Sequence, residues 1–189
     1  MATSPPAPPD AGWSWGWADR LGSWTAELER VAAADQVVVC TWTDAAPSVP
    51  LVDLDAVGWR REVEWPTALW FQTMVGAAGR CRDGGSVVVV VERPAPLDAP
   101  GHSAAVAVAD GVTNLVRSMA AREGGRGVRV NAVVTALHTG TDGLLGSPPP
   151  LATFPGRIDV EIAGAVRLLL SDDAVGITGT AVASTSGRR

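Results

Sequence analysis

The chain has 189 residues, 47% of them apolar and 19% charged, with a formal net charge of −5. That is enough chain for one domain with a substantial core and too little for two. The acidic balance argues against a nucleic-acid partner, and no apolar run approaches the length of a membrane span.

Two absences exclude whole mechanisms. There is no tyrosine, and all 15 basic residues are arginine. Schiff-base chemistry, a P-loop lysine and a tyrosine general acid are therefore unavailable.

Met1 to Gly12 is an Ala/Ser/Pro tail without apolar periodicity, expected to be disordered and unlike a secretory leader. Residues 13–189 then read as a single domain. Trp13, Trp15 and Trp17 open it, within a set of eight tryptophans that all precede residue 71. A helix is predicted from Ser23 to Ala34, with the Ser23 hydroxyl as its cap. Val37 to Cys40 is a short, wholly apolar strand of the kind buried on both faces of a parallel sheet. After a loop with two prolines, a helix runs from about Asp55 to Arg82, bent at Pro66, and Gly84-Gly85 breaks it.

Ser86 to Val91 is a second buried strand, and Arg93 to Gly101 a proline-rich loop. The helix Ser103 to Arg122 ends at Gly124-Gly125, where a left-handed cap is easily formed. Val128 to Val134 is a third strand, Thr135 to Pro155 a long Gly/Pro loop, Asp159 to Leu170 the last helix and Thr180 to Ala183 the last strand. Arg117, Arg122, Arg126 and Arg129 read as a solvated helix end. Alternating strands and helices at this spacing predict βαβ units and an α/β, Rossmann-like three-layer sandwich with a mostly parallel sheet. Cys40 and Cys81 suit a reducing cytoplasm, and with His102 and His138 they lack the close ligand pairs of a metal site.

Three stretches resemble the short-chain dehydrogenase/reductase family: Gly85 to Val91, Asn114 to Ala121 with Gly127 to Val133, and Leu168 to Gly179. The resemblance covers roughly Ala18 to Gly187. It implies an Asn, Ser, Tyr, Lys tetrad, and those positions fall here on Pro66, Glu92, Ala105 and Ala109. The family's Asn-Asn-Ala-Gly turn is Cys40-Thr-Trp-Thr43, and its Pro-Gly is Thr135-Ala136. No G-x-G-x-x-G is present, and Gly140, Gly143 and Gly146 have the wrong spacing. Only about 36 residues precede the first strand, roughly half of what a dinucleotide fold needs there. The N-terminal βαβ is therefore expected to be shortened or missing.

These departures lead to the expectation of a non-catalytic subunit that binds no cofactor alone. NAD(P) would sit on an active dehydrogenase partner, joined as a heterodimer or heterotetramer, with self-association as the other assembly. The resemblance places the pairing surface on the two long helices, at Trp65, Trp70, Ala104, Val108, Val112, Leu115 and Met119. The loop Thr135 to Pro155 would be the segment to complete a partner's pocket. Two other readings stand beside it: new chemistry using Glu92 and His102 at a strand rim, and a small-molecule binding protein with a tryptophan-lined cleft.

Overall fold

The computed structural model describes residues 17–40, 48–95, 99–136 and 158–184, together with Pro6. Four strands, β1 (Ala34–Cys40), β2 (Cys81–Glu92), β3 (Arg129–Thr135) and β4 (Ala181–Ala183), form one sheet in chain order with every pair parallel. The helices are α1 (Ala18–Glu29), α2 (Ala56–Trp59), α3 (Trp65–Arg80), α4 (Ser103–Glu123) and α5 (Ala163–Leu170).

Successive residues of a strand point to opposite faces, and β2 shows what that means for a run of five valines. Val87, Val89 and Val91 join the core under α3 and α4, with Met74, Val112 and Val116. Val88 and Val90 join a second core under α5, with Val133, Ile162 and Leu169. Helices therefore cover both faces, as the alternating pattern predicts.

Four expectations need correction. Among the described residues β1 lies at the edge of the sheet, and it is not buried on both faces: Val39 is buried, but Val38 is 44% exposed. α1 begins five residues before the predicted Ser23 cap, and the Ser23 hydroxyl instead donates to the Asp19 carbonyl, 2.9 Å away within the helix. Its placement is set by packing, with Trp24 and Leu28 buried against Leu69 of α3. The left-handed turn after α4 falls on Gly127 (φ 69°), one short 3-10 turn later than Gly124-Gly125.

The basic cluster is the fourth. Arg126 donates to Asp83, Glu123 and the carbonyls of Ala78 and Cys81. Arg129 donates to the carbonyls of Leu169, Ser171 and Ala174 at 2.7–3.1 Å. These two arginines are clamps between elements, unlike a solvated helix end.

The bend expected at Pro66 takes a specific form. α2 and α3 are one continuous helix interrupted by a π turn at Arg60–Glu64, in which the Trp65 amide bonds to the Arg60 carbonyl. Pro66 has no N–H and its ring crowds the carbonyl four residues back. The wider turn just ahead absorbs that conflict, and the Thr67 hydroxyl donates to the Val63 carbonyl at 2.6 Å.

Arg129 is the clamp whose loss is easiest to read. Arg129→Ala takes one donor from each of three carbonyls between the end of α5 and β4, each of which keeps a second donor, and is expected to lower stability by about 1–3 kcal/mol in urea unfolding. Arg129→Lys should recover only part of this, because one ammonium cannot reach all three acceptors.

Candidate functional site at the carboxyl rim

All four strands are parallel, so their carboxyl ends share one rim, the place where open α/β sheets put their sites. The four positions implied by the resemblance gather there. Pro66 lies in the first turn of α3, and Glu92 is the last residue of β2, paired across the sheet with Thr135 of β3. Ala105 and Ala109 occupy the first two turns of α4.

The geometry around them is well defined. A small recess of about 20 Å³, room for little more than one water, lies between Val49, Leu51, Leu54, Glu62 and the start of α4 at His102, Ser103 and Ala105. It is built by the strand of chain entering α2: the Val49 amide donates to the Gly101 carbonyl at 2.8 Å, and Asp55 caps α2 by accepting from the Gly58 amide at 2.7 Å. Beside it Arg93 holds Asp110 at 2.8 Å. His102 and Ala105 line this recess, while Glu92 is not among its lining residues. His138 and most of the loop Thr135 to Pro155 lie outside the described residues.

The connection from β1 to α2 contains no glycine, and that from β2 to α4 contains only Gly101, so neither supplies a glycine-rich cradle for a pyrophosphate. Nor does any phenol or ammonium stand at the rim to activate a carbonyl. Among the described residues no group of three or more His, Cys, Asp or Glu side chains is gathered to hold a metal. Burial pushes the Cys81 thiol up, with Arg126 opposing in part, which leaves it a packing residue.

The residues offered as interface contacts divide. Trp65, Trp70, Val108, Val112 and Met119 are all buried within the single chain, at 8% exposure or less. They are core residues, a correction whose cause is that α3 and α4 turn these side chains down onto the sheet or under α1. Ala104 and Leu115 stay partly covered. The tryptophan group is likewise internal where it is described. Trp17 meets Trp65 edge to face with centroids 5.5 Å apart, and the Trp24 indole donates to the Thr73 hydroxyl at 2.8 Å. Trp59 remains 37% exposed. Trp13, Trp15 and Trp42 lie outside the described residues.

Comparison with known proteins decides the family. The chain is 30% identical over 178 residues to a cis-4-hydroxycyclohexanecarboxylate dehydrogenase of Sinomonas cyclohexanicum, covering 85% of this chain and 69% of that one. The chain belongs to the short-chain dehydrogenase/reductase family. A 2-(S)-hydroxypropyl-CoM dehydrogenase of Xanthobacter autotrophicus is 36% identical over 150 residues, with 71% of this chain and 59% of that one covered. This chain thus spans between 59% and 69% of the length of these two relatives.

Solved structures give the same fold. A short-chain dehydrogenase/reductase from Brucella melitensis superposes with a TM-score of 0.67 at 20% identity, over 91% of this chain and 71% of the other. A 4-hydroxyisoleucine dehydrogenase solved with NADH and succinate gives 0.66 at 19%, over 90% and 76%. No family model matches the sequence.

The rim chemistry makes a direct prediction. Titration of the chain alone with NADH, followed by tryptophan fluorescence corrected for absorption, should show no saturable quenching up to about 1 mM, binding weaker than about −4 kcal/mol. A micromolar isotherm would show that the chain holds a dinucleotide by itself.

Proposed function

We propose that this short-chain dehydrogenase relative works as a non-catalytic subunit. It joins an active NAD(P)-dependent dehydrogenase or ketoreductase, stabilising that enzyme or shaping its substrate pocket. One observation carries the reading. The elements that hold the family's reacting groups stand at a common rim, yet the positions themselves offer a proline, a carboxylate and two methyl groups.

The surface for such pairing is the outward side of α3 and α4. Phe71 stands 48% exposed on α3, and Ala107 and Gly111 are exposed on α4 beside the partly covered Ala104 and Leu115. Small side chains let a partner helix come close, and one bare aromatic ring gives it an anchor. Substrate and pathway follow from the partner, whose own rim would carry the chemistry.

Co-expression with the dehydrogenase encoded nearest to this chain tests the reading, using size-exclusion chromatography with mass detection and an NAD(P)H assay. A mixed complex whose activity depends on this chain is expected. Phe71→Asp should weaken that complex at least about tenfold while leaving the isolated chain folded, since the residue is exposed. A homodimer, or a monomer that leaves the enzyme unaffected, would sink the proposal.

A further inference from the structure

The chain entering α2 and the chain entering α4 follow neighbouring strands, β1 and β2, and are fastened to each other at the rim. The Val49 amide donates to the Gly101 carbonyl at 2.8 Å, and the Ser48 hydroxyl donates to the Pro100 carbonyl at 3.4 Å. Their closeness depends on one residue. Gly101 has φ 81°, a left-handed conformation that favours glycine. A Cβ placed there would also run into the Ser48 hydroxyl.

Ser48 to Leu54 is thereby a strap pinned at both ends. At the far end Asp55 caps α2, and Leu54 sits against Gly58, where a Cβ would stand 2.9 Å from Leu54 Cδ1. Between the pins lies a 3-10 turn, Leu51–Asp53, in which the Asp53 amide donates to Pro50 and the Leu54 amide to Leu51. The outer side faces solvent, with Val52 92% exposed. On the inner side Val49, Leu51 and Leu54 line the small recess with Ala104 and Ala105. The two pins are unequal. The far one joins a helix cap to a packed leucine, whereas the near one is one main-chain bond and one long hydroxyl contact beside the exposed Ser48 and Pro50.

We infer that Ser48 to Leu54 is a hinged strap, latched at Val49–Gly101, that shields the first turn of α4 and uncovers Ala104 and Ala105 when the latch opens. Local opening selects segments held by few bonds and little buried apolar surface, and the near end of the strap has both properties. The hinge falls at Leu54–Asp55, where the backbone is extended ahead of the cap. Ala105 stands where the resemblance places a tyrosine, so the strap gates the rim itself. The inference does not depend on the subunit reading, because it concerns contacts within this chain.

Hydrogen–deuterium exchange by mass spectrometry on the full chain tests it, with substitutions on both sides of the latch. Asparagine tolerates a left-handed φ, so Gly101→Asn mainly adds a Cβ against Ser48. It should speed exchange across residues 49–54 at least about tenfold and leave β2 and β3 unchanged. The fluorescence of added 8-anilinonaphthalene-1-sulfonate should rise with it as the apolar recess opens. Ser48→Gly removes the side chain that the new Cβ meets, leaving only a backbone contact at 3.5 Å. The double variant should therefore bring both readings back to within about twofold of the unsubstituted chain. Gly22→Ala, where a Cβ meets nothing, should change neither. Four outcomes would overturn the inference: unchanged exchange in Gly101→Asn, no rise in dye fluorescence, no rescue by Ser48→Gly, or equal acceleration of β2.

Discussion

Val87 to Val91 are each between 0% and 2% exposed, and a strand buried on both faces exists only if something covers each face. Removing a valine side chain from water is worth about 1.5–3 kcal/mol. With five in a row, β2 becomes the element to which every other one is fitted. α3 and α4 close one face and α5 the other. The two sides are also tied at one level: Ser86 and Arg129 are paired neighbours on β2 and β3, and both donate to the Leu169 carbonyl at the end of α5. Asn131 extends the tie by donating to Ile177 and accepting from the Thr180 amide, so the turn leading into β4 is held from the strand floor.

That arrangement rests on residues other than those at the rim positions. Arg129, Asn131 and Ser86 answer to buried carbonyls and to packing, where a wrong residue leaves a polar group unpaired. The rim positions answer to a reaction. Ala105 and Ala109 stand in a helix, for which alanine is the most favourable residue, and Ala109 is 1% exposed against the core. Pro66 required more adjustment, and the π turn ahead of it is the local consequence.

The tryptophans illustrate a different constraint. An aromatic-rich start could line a cleft, meet a partner or pack inward. α1 lies flank to flank with α3, and Gly76 makes this possible: a Cβ there would stand 2.7 Å from Leu28 Cδ1. Trp17 then meets Trp65 edge to face, and Trp24 packs with Leu28 on Leu69. Their burial turns these three rings inward.

How much of this was legible beforehand depends on the range of the interaction involved. The β-branched runs, the helical stretch from Ser103 and the glycine breaks act through neighbouring residues, so strand, helix and parallel-sheet class could be read from order and spacing alone. The absence of tyrosine and lysine limited the chemistry without any fold. Other features depended on contacts between residues far apart in the chain. Val37 to Cys40 is as apolar as a central strand, and only the lack of a described neighbour beyond β1 makes it an edge. Ser23 could cap a helix, but Trp24 and Leu28 binding to α3 set where that helix starts. Arg126 and Arg129 look like surface charge until the turns that bring carbonyls to them are in place. Likewise Trp65, Trp70, Val108, Val112 and Met119 carry the apolar character of either an interface or a core. Local sequence specifies which faces are apolar, whereas which of those faces meet is a property of the packed chain.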